Sequence, residues 1–427
     1  MSDLSITRVW SREVLDSRGN PTVEAQVETE AVCVTAIAPS GASTGTFEAL
    51  ELRDGGSRYA GKGVLKAVGN VRDLISPKLK GMDVTDLKAI DEAMKELDGT
   101  GNMARLGGNA TTAVSYAVAK AGAIMKGVEL YEHLGKGSRV LPVPMMNVIN
   151  GGKHAGSNLK IQEFMIAPCG MPNFSEALRA GTEVYHSLKQ VIKKEKGPLA
   201  INVGDEGGFA PPFDTSRQAM DVLLKAIEAA GYAPGKEVCL AMDAAASEFH
   251  KDGVYELDGK RMSSGEIVDY YVALSKDYPL VSLEDPVEED SFEAMAELTK
   301  KIGGRVQLVG DDLFVTNPVR LRKGIGMGAG NAMLLKVNQI GTISEAMEAA
   351  GICFGHGYNV MVSHRSGESE DTTMADIAVA LECGQIKSGA PARTERTAKY
   401  NRLLRIEEGL GSQARFKGRD AFRPSSA

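Results

Sequence analysis

An α/β fold, with a C-terminal βα barrel preceded by a smaller N-terminal α+β capping domain, is what this chain of 427 residues predicts. Three observations lead there. The length exceeds what one ordinary core holds, so a barrel with an added domain is a natural expectation. Beyond residue 136, short apolar runs alternate with helical patterns, the mark of βαβ units around a parallel sheet. Six of those runs end in an ionisable residue, and a barrel gathers the ends of its strands at one face.

The capping domain is expected over residues 1–135. Val23, Ala25 and Val27 alternate with Glu24, Gln26 and Glu28, which predicts a half-buried strand. Residues 111–124 are rich in Ala with few breakers and predict a helix. Strands followed by helices suggest a compact α+β unit ending near Gly135 and Gly137. The barrel is expected over residues 136–427, close to the usual size of about 250 residues. One of its helices runs from the candidate cap Asp214 through Met220, Leu223 and Ile227 to Gly231. Another covers residues 345–350 and is followed by Gly351. The tail from Gln413 onward is basic and reads as a frayed surface end.

Composition excludes several classes. With 43% hydrophobic and 25% charged residues, the chain has the balance of a globular protein. A net charge of −7 argues against nucleic acid as the main partner, though a local basic pocket for a small anion remains open. Cys33, Cys169, Cys239, Cys353 and Cys383 are scattered, without zinc or redox spacing, which fits a reduced compartment. The N-terminus is acidic with no apolar segment after it, and no apolar run approaches the ~20 residues that span a bilayer. A cytoplasmic protein without a membrane span is expected.

The chemistry lies where the apolar runs stop. Residues 238–242 lead to Asp243, 280–283 to Glu284, 306–310 to Asp311, 332–335 to Lys336, 359–363 to His364 and Arg365, and 384–386 to Lys387. A single acid after a strand is ordinarily a helix cap or a solvated charge. Six such endings in one barrel point to a site. Three carboxylates offering only oxygen suit a hard cation, magnesium rather than zinc. A lysine beside that cation loses its proton more easily and can serve as a base. Facing a metal-bound carboxylate, such a base suits proton removal at the adjacent carbon, with the cation stabilising the enediolate.

Two further acids stand out. Glu163 interrupts an apolar segment, and a buried carboxyl needs a partner or a proton. Glu206 lies in the Gly/Pro-rich stretch 202–212, where acids are ordinarily turn residues. If the two share a site, repulsion keeps one protonated, as a general acid requires. The glycine-rich stretches 39–45, with Ser43, and 150–158, with Lys153 and His154, are candidate lids. Arg365 and Ser366 supply a fork and a hydroxyl for phosphate. Two weaker motifs are set aside: residues 56–62 lack the hydroxyl of a P-loop, and residues 324–329 are followed by an apolar run where a dinucleotide site needs a helix.

Taken together, residues 15–22, 39–45, 204–211, 283–286, 310–317, 335–342, 363–368 and 387–396 make the chain resemble the enolases, the phosphopyruvate hydratases, along nearly its whole length. The resemblance implies a barrel that is not all-parallel at its start. It implies reversible dehydration of 2-phosphoglycerate to phosphoenolpyruvate, a glycolytic reaction. Carried over by motif, Asp243, Glu284 and Asp311 match the ligands of one magnesium, and Ser43 a ligand of a second. Lys336 matches the base and Glu206 the acid, with Glu163 beside it and Lys387 neutralising the carboxylate. His154, Gln162, His364, Arg365 and Ser366 match substrate contacts. Homodimers or octamers are implied, and a secondary surface pool is open. A dehydratase or epimerase of unphosphorylated sugar acids, a surface-displayed binding protein and a metal-dependent aldolase are the alternatives. The first has no use for Arg365 and Ser366, an intact catalytic set disfavours the second, and the paired Glu163 and Glu206 disfavour the third.

Overall fold

A computed structural model of the protein describes residues 3–41, 47–152 and 158–422. Its N-terminal part is built on an antiparallel sheet of three strands, Arg8–Leu15, Pro21–Glu28 and Cys33–Ile37. Val23, Ala25 and Val27 are fully buried while Glu24, Gln26 and Glu28 are half-buried, which is the expected alternation. The helix Gly108–Lys126 packs on this sheet. Its other side meets two short barrel segments, Val337–Ile340 and Ile343–Gly355. A helix pressed from both sides needs small side chains for close approach, hence its Ala-rich sequence.

Eight strands close the barrel in chain order: Val143–Asn150, Glu163–Ala167, Cys239–Asp243, Leu280–Glu284, Gln307–Gly310, Ala332–Leu335, Asn359–Ser363 and Gln385–Lys387. The second strand runs antiparallel to both neighbours and the rest pair in parallel. The start of the barrel therefore departs from the all-parallel pattern, as the resemblance implies. One consequence follows for the site. Because the second strand is reversed, its first residue, Glu163, sits at the end where the other strands finish, paired in register with Asp243.

The strands are buried on both faces. Val143, Met145, Met165, Ala241, Val309, Leu334 and Met361 form an inner core within the barrel, and the opposite faces pack under helices. A strand covered on both sides reads as an unbroken apolar run, which is why these segments show no alternation. Helix starts are fixed locally. Asn173 accepts from the Glu176 N–H at 2.9 Å to begin Phe174–Lys196, and Ser263 forms a reciprocal box with Glu266 to begin Ser264–Asp277. Each such cap is worth about 1 kcal/mol.

Three expectations change. The helix Ser216–Ala229 is capped by Thr215, whose hydroxyl accepts from the Gln218 N–H, and not by Asp214. Asp214 is one residue too early to reach that donor. Gly351 does not stop its helix, which runs Ile343–Gly355; exposed and with open space around it, it is tolerated inside. The tail is docked as far as residue 422: Arg415–Phe416 pairs with Val140–Leu141, and Ala421 and Phe422 are buried against the inner core. Residues 324–326 lie within the helix Pro318–Met327, so no dinucleotide loop forms there. Among the described residues no helix is long and apolar enough to cross a membrane.

Candidate active site

The charged ends of the strands meet at one rim. Lys387, closing the eighth strand, is the hub. Its Nζ lies 3.0 Å from Asp243 Oδ2, 2.9 Å from Glu284 Oε1 and 3.2 Å from Glu163 Oε1. Each of these four side chains is buried. Burial alone would strip the proton from Lys387, but Asp243, Glu163 and Glu284 win and hold it well above the usual lysine value. Burial, then the charge of Asp243, pushes Glu284 well above the carboxylate range.

Lys336 and Asp311 form the second element. Their side chains are in direct ion-pair contact, and Gln339 Nε2 donates to Asp311 Oδ1 at 2.8 Å. The expected lowering of the proton affinity of Lys336 concerns a lysine beside a cation; paired with Asp311, Lys336 is shifted the other way. Burial lowers the value, but Asp311 outweighs it and raises it. Asp311 in turn lies below its ordinary value, because Lys336 overcomes the effect of burial. The expectation assumed a cation sharing the charge of Asp311; with Lys336 as the partner, the balance reverses.

The third element is acidic. Glu206 sits in a turn set by Gly207, whose φ of +83° is open to glycine at little strain, and by Gly208, where a Cβ would meet Asn147 and Asn150. The Tyr185 hydroxyl donates to the Gly207 carbonyl and the Ala390 N–H to the Glu206 carbonyl, fixing the turn against the barrel. Asn147 Nδ2 donates to Glu206 Oε2 at 2.8 Å, and His364 Nε2 faces the same oxygen at 3.4 Å. Glu163 is pushed well above its ordinary value, first by burial and then by Glu206, with Lys387 opposing. Burial depresses His364 to about 4, so its ring is neutral.

Arg365 and Ser366 follow the seventh strand. The Arg365 guanidinium pairs with Glu48 at 2.8 Å and donates to Asn338 Oδ1 at 3.2 Å, while Arg18 Nη1 lies 3.4 Å from Ser366 Oγ. Arg18 is presented by a turn in which Asp16 accepts from the N–H groups of Arg18 and Asn20. Gln162 Nε2 reaches Asp243 Oδ2 at 3.5 Å. Ser43 and His154 lie outside the described residues.

All the described candidates except Glu284 line one cavity of about 30 Å³. A larger cleft, of about 730 Å³, lies between the helices Leu87–Asp98 and Ile343–Gly355 and includes none of them. Size does not locate the chemistry here; convergent charge does. Two groups of three residues bring ligand atoms within 4.8 Å of one another: Glu163 with Glu206 and His364, and Asp285 with Asp311 and Asp312. The rim could therefore hold a metal ion.

Several residues escape sequence reasoning. Arg396, fully buried, donates to the Arg365 carbonyl at 2.6 Å and the Ser366 carbonyl at 2.7 Å, and its Nη1 lies 2.7 Å from His364 Nδ1. A guanidinium can only donate, so His364 Nδ1 accepts and the ring carries its proton on Nε2, facing Glu206. Asp285 accepts from the N–H groups of Asp311 and Asp312 at 2.9 and 2.7 Å, setting the start of that loop. Glu48 and Asn147 were also missed. Asp285 adjoins Glu284 in the matched segment, and Arg396 ends another, which was the available signal.

Comparison with known proteins matches both parts of the chain. Residues 6–134 match the family described as enolase, N-terminal domain, and residues 138–425 match enolase, C-terminal TIM barrel domain. The enolase of Methanopyrus kandleri is 59% identical over 98% of this chain and 99% of its own length. That of Methanocaldococcus jannaschii is 59% identical over 97% of each chain, and that of Thermococcus kodakarensis 58% over 98% of each. The chain belongs to the enolase family.

Proposed function

We propose that this protein is a hydro-lyase that reversibly converts 2-phospho-D-glycerate to phosphoenolpyruvate and water, with Lys336 taking the proton at C2 and Glu206 giving one to the departing C3 hydroxyl. The observation that carries the reading is the meeting of Asp243, Glu284 and Glu163 on the single ammonium of Lys387. It supports a rim built to compensate the carboxylate of a small acid.

The roles follow from the contacts. Lys336 and Glu206 line one cavity with separate partners, Asp311 for the first and Asn147 and His364 for the second, so a base and an acid can act independently. The charge of Glu206 raises the proton affinity of its neighbour Glu163, which opposes ionisation of both together. His364, locked as the neutral Nε2–H form by Arg396, offers a donor to Glu206. Lys387 balances the substrate carboxylate, and Gln162 and His154 contact the substrate. Arg365 and Ser366, with Arg18 close by, suit the phosphate, a group an unphosphorylated sugar acid does not present.

The donor set also fits divalent ions. Asp243, Glu284, Asp311 and Glu163 share the ammoniums of Lys336 and Lys387, and Glu206 lines the same cavity, so oxygen-only acids outnumber the two lysines. We read Asp243, Glu284 and Asp311 as ligands of one magnesium and Ser43 as a ligand of a second. Bound there, the ions would neutralise charge building on the substrate carboxylate. We further read residues 1–135 as a cap over a barrel of residues 136–427, in a homodimeric or octameric cytoplasmic enzyme that can have a secondary surface pool.

An absorbance assay for phosphoenolpyruvate from 2-phosphoglycerate, with and without a chelator, run beside an assay for the keto-acid products of sugar acids, tests this reading. Turnover of 2-phosphoglycerate alone, lost with chelator and restored by magnesium, is expected. Turnover only of the sugar acids would reject it.

A further inference from the structure

We propose that Cys169 and Cys239 form a dithiol that peroxides oxidise to an internal disulfide at the floor of the barrel, a modification site at the opposite end from the carboxylate rim. The two cysteines are 70 positions apart in the sequence, yet their sulphurs are 3.4 Å apart. The reversed second strand produces this meeting. Its last residue, Ala167, lies opposite Cys239, the first residue of the third strand. The Cys169 N–H then donates back to the Ala167 carbonyl at 2.8 Å, folding Cys169 over its neighbour. A disulfide needs a sulphur separation of about 2.05 Å, so the gap to close is roughly 1.4 Å.

The surroundings favour reaction over inert packing. Arg419 Nη2 lies 3.1 Å from Cys239 Sγ, a permanent positive charge that supports a thiolate in the pair. The contact between the two thiols holds Cys169 below its ordinary value against burial, with the charge of Arg419 adding to this, and pushes Cys239 well up, so Cys169 is the first nucleophile of the pair. A cavity of about 190 Å³, lined by Cys239, Tyr278, Arg305 and Arg419, opens beside the pair and has room for a small peroxide. Two buried thiols serving only as small apolar filler would not require a guanidinium against one of them.

The chemistry balances with hydrogen peroxide as the oxidant. One thiolate attacks a peroxide oxygen, the O–O bond breaks, and the departing hydroxide takes a proton to become water. The sulfenic acid so formed is attacked by the second thiolate, which expels a second hydroxide as water and forms the S–S bond. Two thiols and one peroxide thus give one disulfide and two waters. The bond closes a long loop in the unfolded chain, so the melting temperature should rise.

The test uses the full-length folded protein with Cys33→Ser, which removes the exposed thiol. It is treated with hydrogen peroxide, alkylated, digested without reductant and analysed by mass spectrometry. A Cys169–Cys239 linked peptide, lighter by two hydrogens and released by dithiothreitol, is expected, together with a reductant-reversible rise in melting temperature. Cys169→Ser and Cys239→Ser should each abolish the linked peptide while keeping turnover, since neither residue touches the rim. Single sulfenic or sulfinic products without the link, or both thiols remaining alkylatable after treatment, would overturn the proposal.

Discussion

At the floor of the barrel, Gln307 and Gln385 exchange amide hydrogen bonds at 2.7 and 2.8 Å, Asn359 joins Gln307, and Gln385 also donates to the Ala421 carbonyl. At the rim, strands of the same barrel bury carboxyls and lysines, and several polar atoms there lack any hydrogen-bond partner among the described residues: Glu163 Oε2, Gln162 Oε1 and Asn147 Oδ1. The amides of the floor are paired with one another. The rim is charged and short of partners. A buried polar group without a partner costs about 1–3 kcal/mol, so the rim is the destabilised end. The difference teaches where a ligand belongs. Groups that satisfy one another hold the barrel shut, and groups left wanting partners are set to bind something else.

The largest expected effect sharpens this contrast at the rim. Lys387→Met removes the shared counter-charge of three acids and should lower kcat by about 1,000-fold or more, in line with losing a preorganised electrostatic group. Steady-state turnover measures it, with near-ultraviolet circular dichroism confirming the fold. Turnover within tenfold of the parent would break the assignment of Lys387 as the hub.

The next effect concerns pH. Folded His364 titrates near 4, whereas an unfolded histidine titrates near 6.5. Above about pH 6.5 neither state carries the proton and the stability is fully present. As pH falls towards 4, the unfolded chain takes up a proton that the fold refuses, so stability declines by up to about 3 kcal/mol. Urea unfolding at about pH 7 and about pH 5 should show a smaller acid-induced loss in His364→Gln than in the parent. Equal losses would mean that His364 does not govern this range.

The smallest effect belongs to the floor. Gln385→Leu leaves Gln307 and the Ala421 carbonyl without their partner and should destabilise the fold by about 1–3 kcal/mol while leaving kcat within twofold. Denaturant midpoints and turnover, read together, check it. A large fall in kcat with little loss of stability would erase the distinction between the two ends.

Much of the site was legible because parallel strands buried on both faces leave an unmistakable apolar run, and the residue ending each run lies at the rim. That logic finds Asp243, Glu284, Asp311, Lys336, His364 and Lys387 without a structure. Glu163 was noticed for the wrong local reason: it heads a reversed strand and does not interrupt one. Arg396 was not legible, since its work is done through backbone carbonyls and one ring nitrogen that only the tertiary fold brings near. Asp214 and Thr215 are adjacent residues that can both cap, and only backbone geometry chooses between them. The proton affinity of Lys336 depends on which charge Asp311 faces, and sequence does not specify that competition.

Hydrogen–deuterium exchange at C2 of 2-phosphoglycerate, followed by nuclear magnetic resonance in the Lys336→Ala and Glu206→Gln variants, tests the division of labour most directly. Exchange should vanish in Lys336→Ala and persist in Glu206→Gln, although the latter forms no phosphoenolpyruvate. Equal loss of exchange in both variants would contradict the assignment of a separate base and acid.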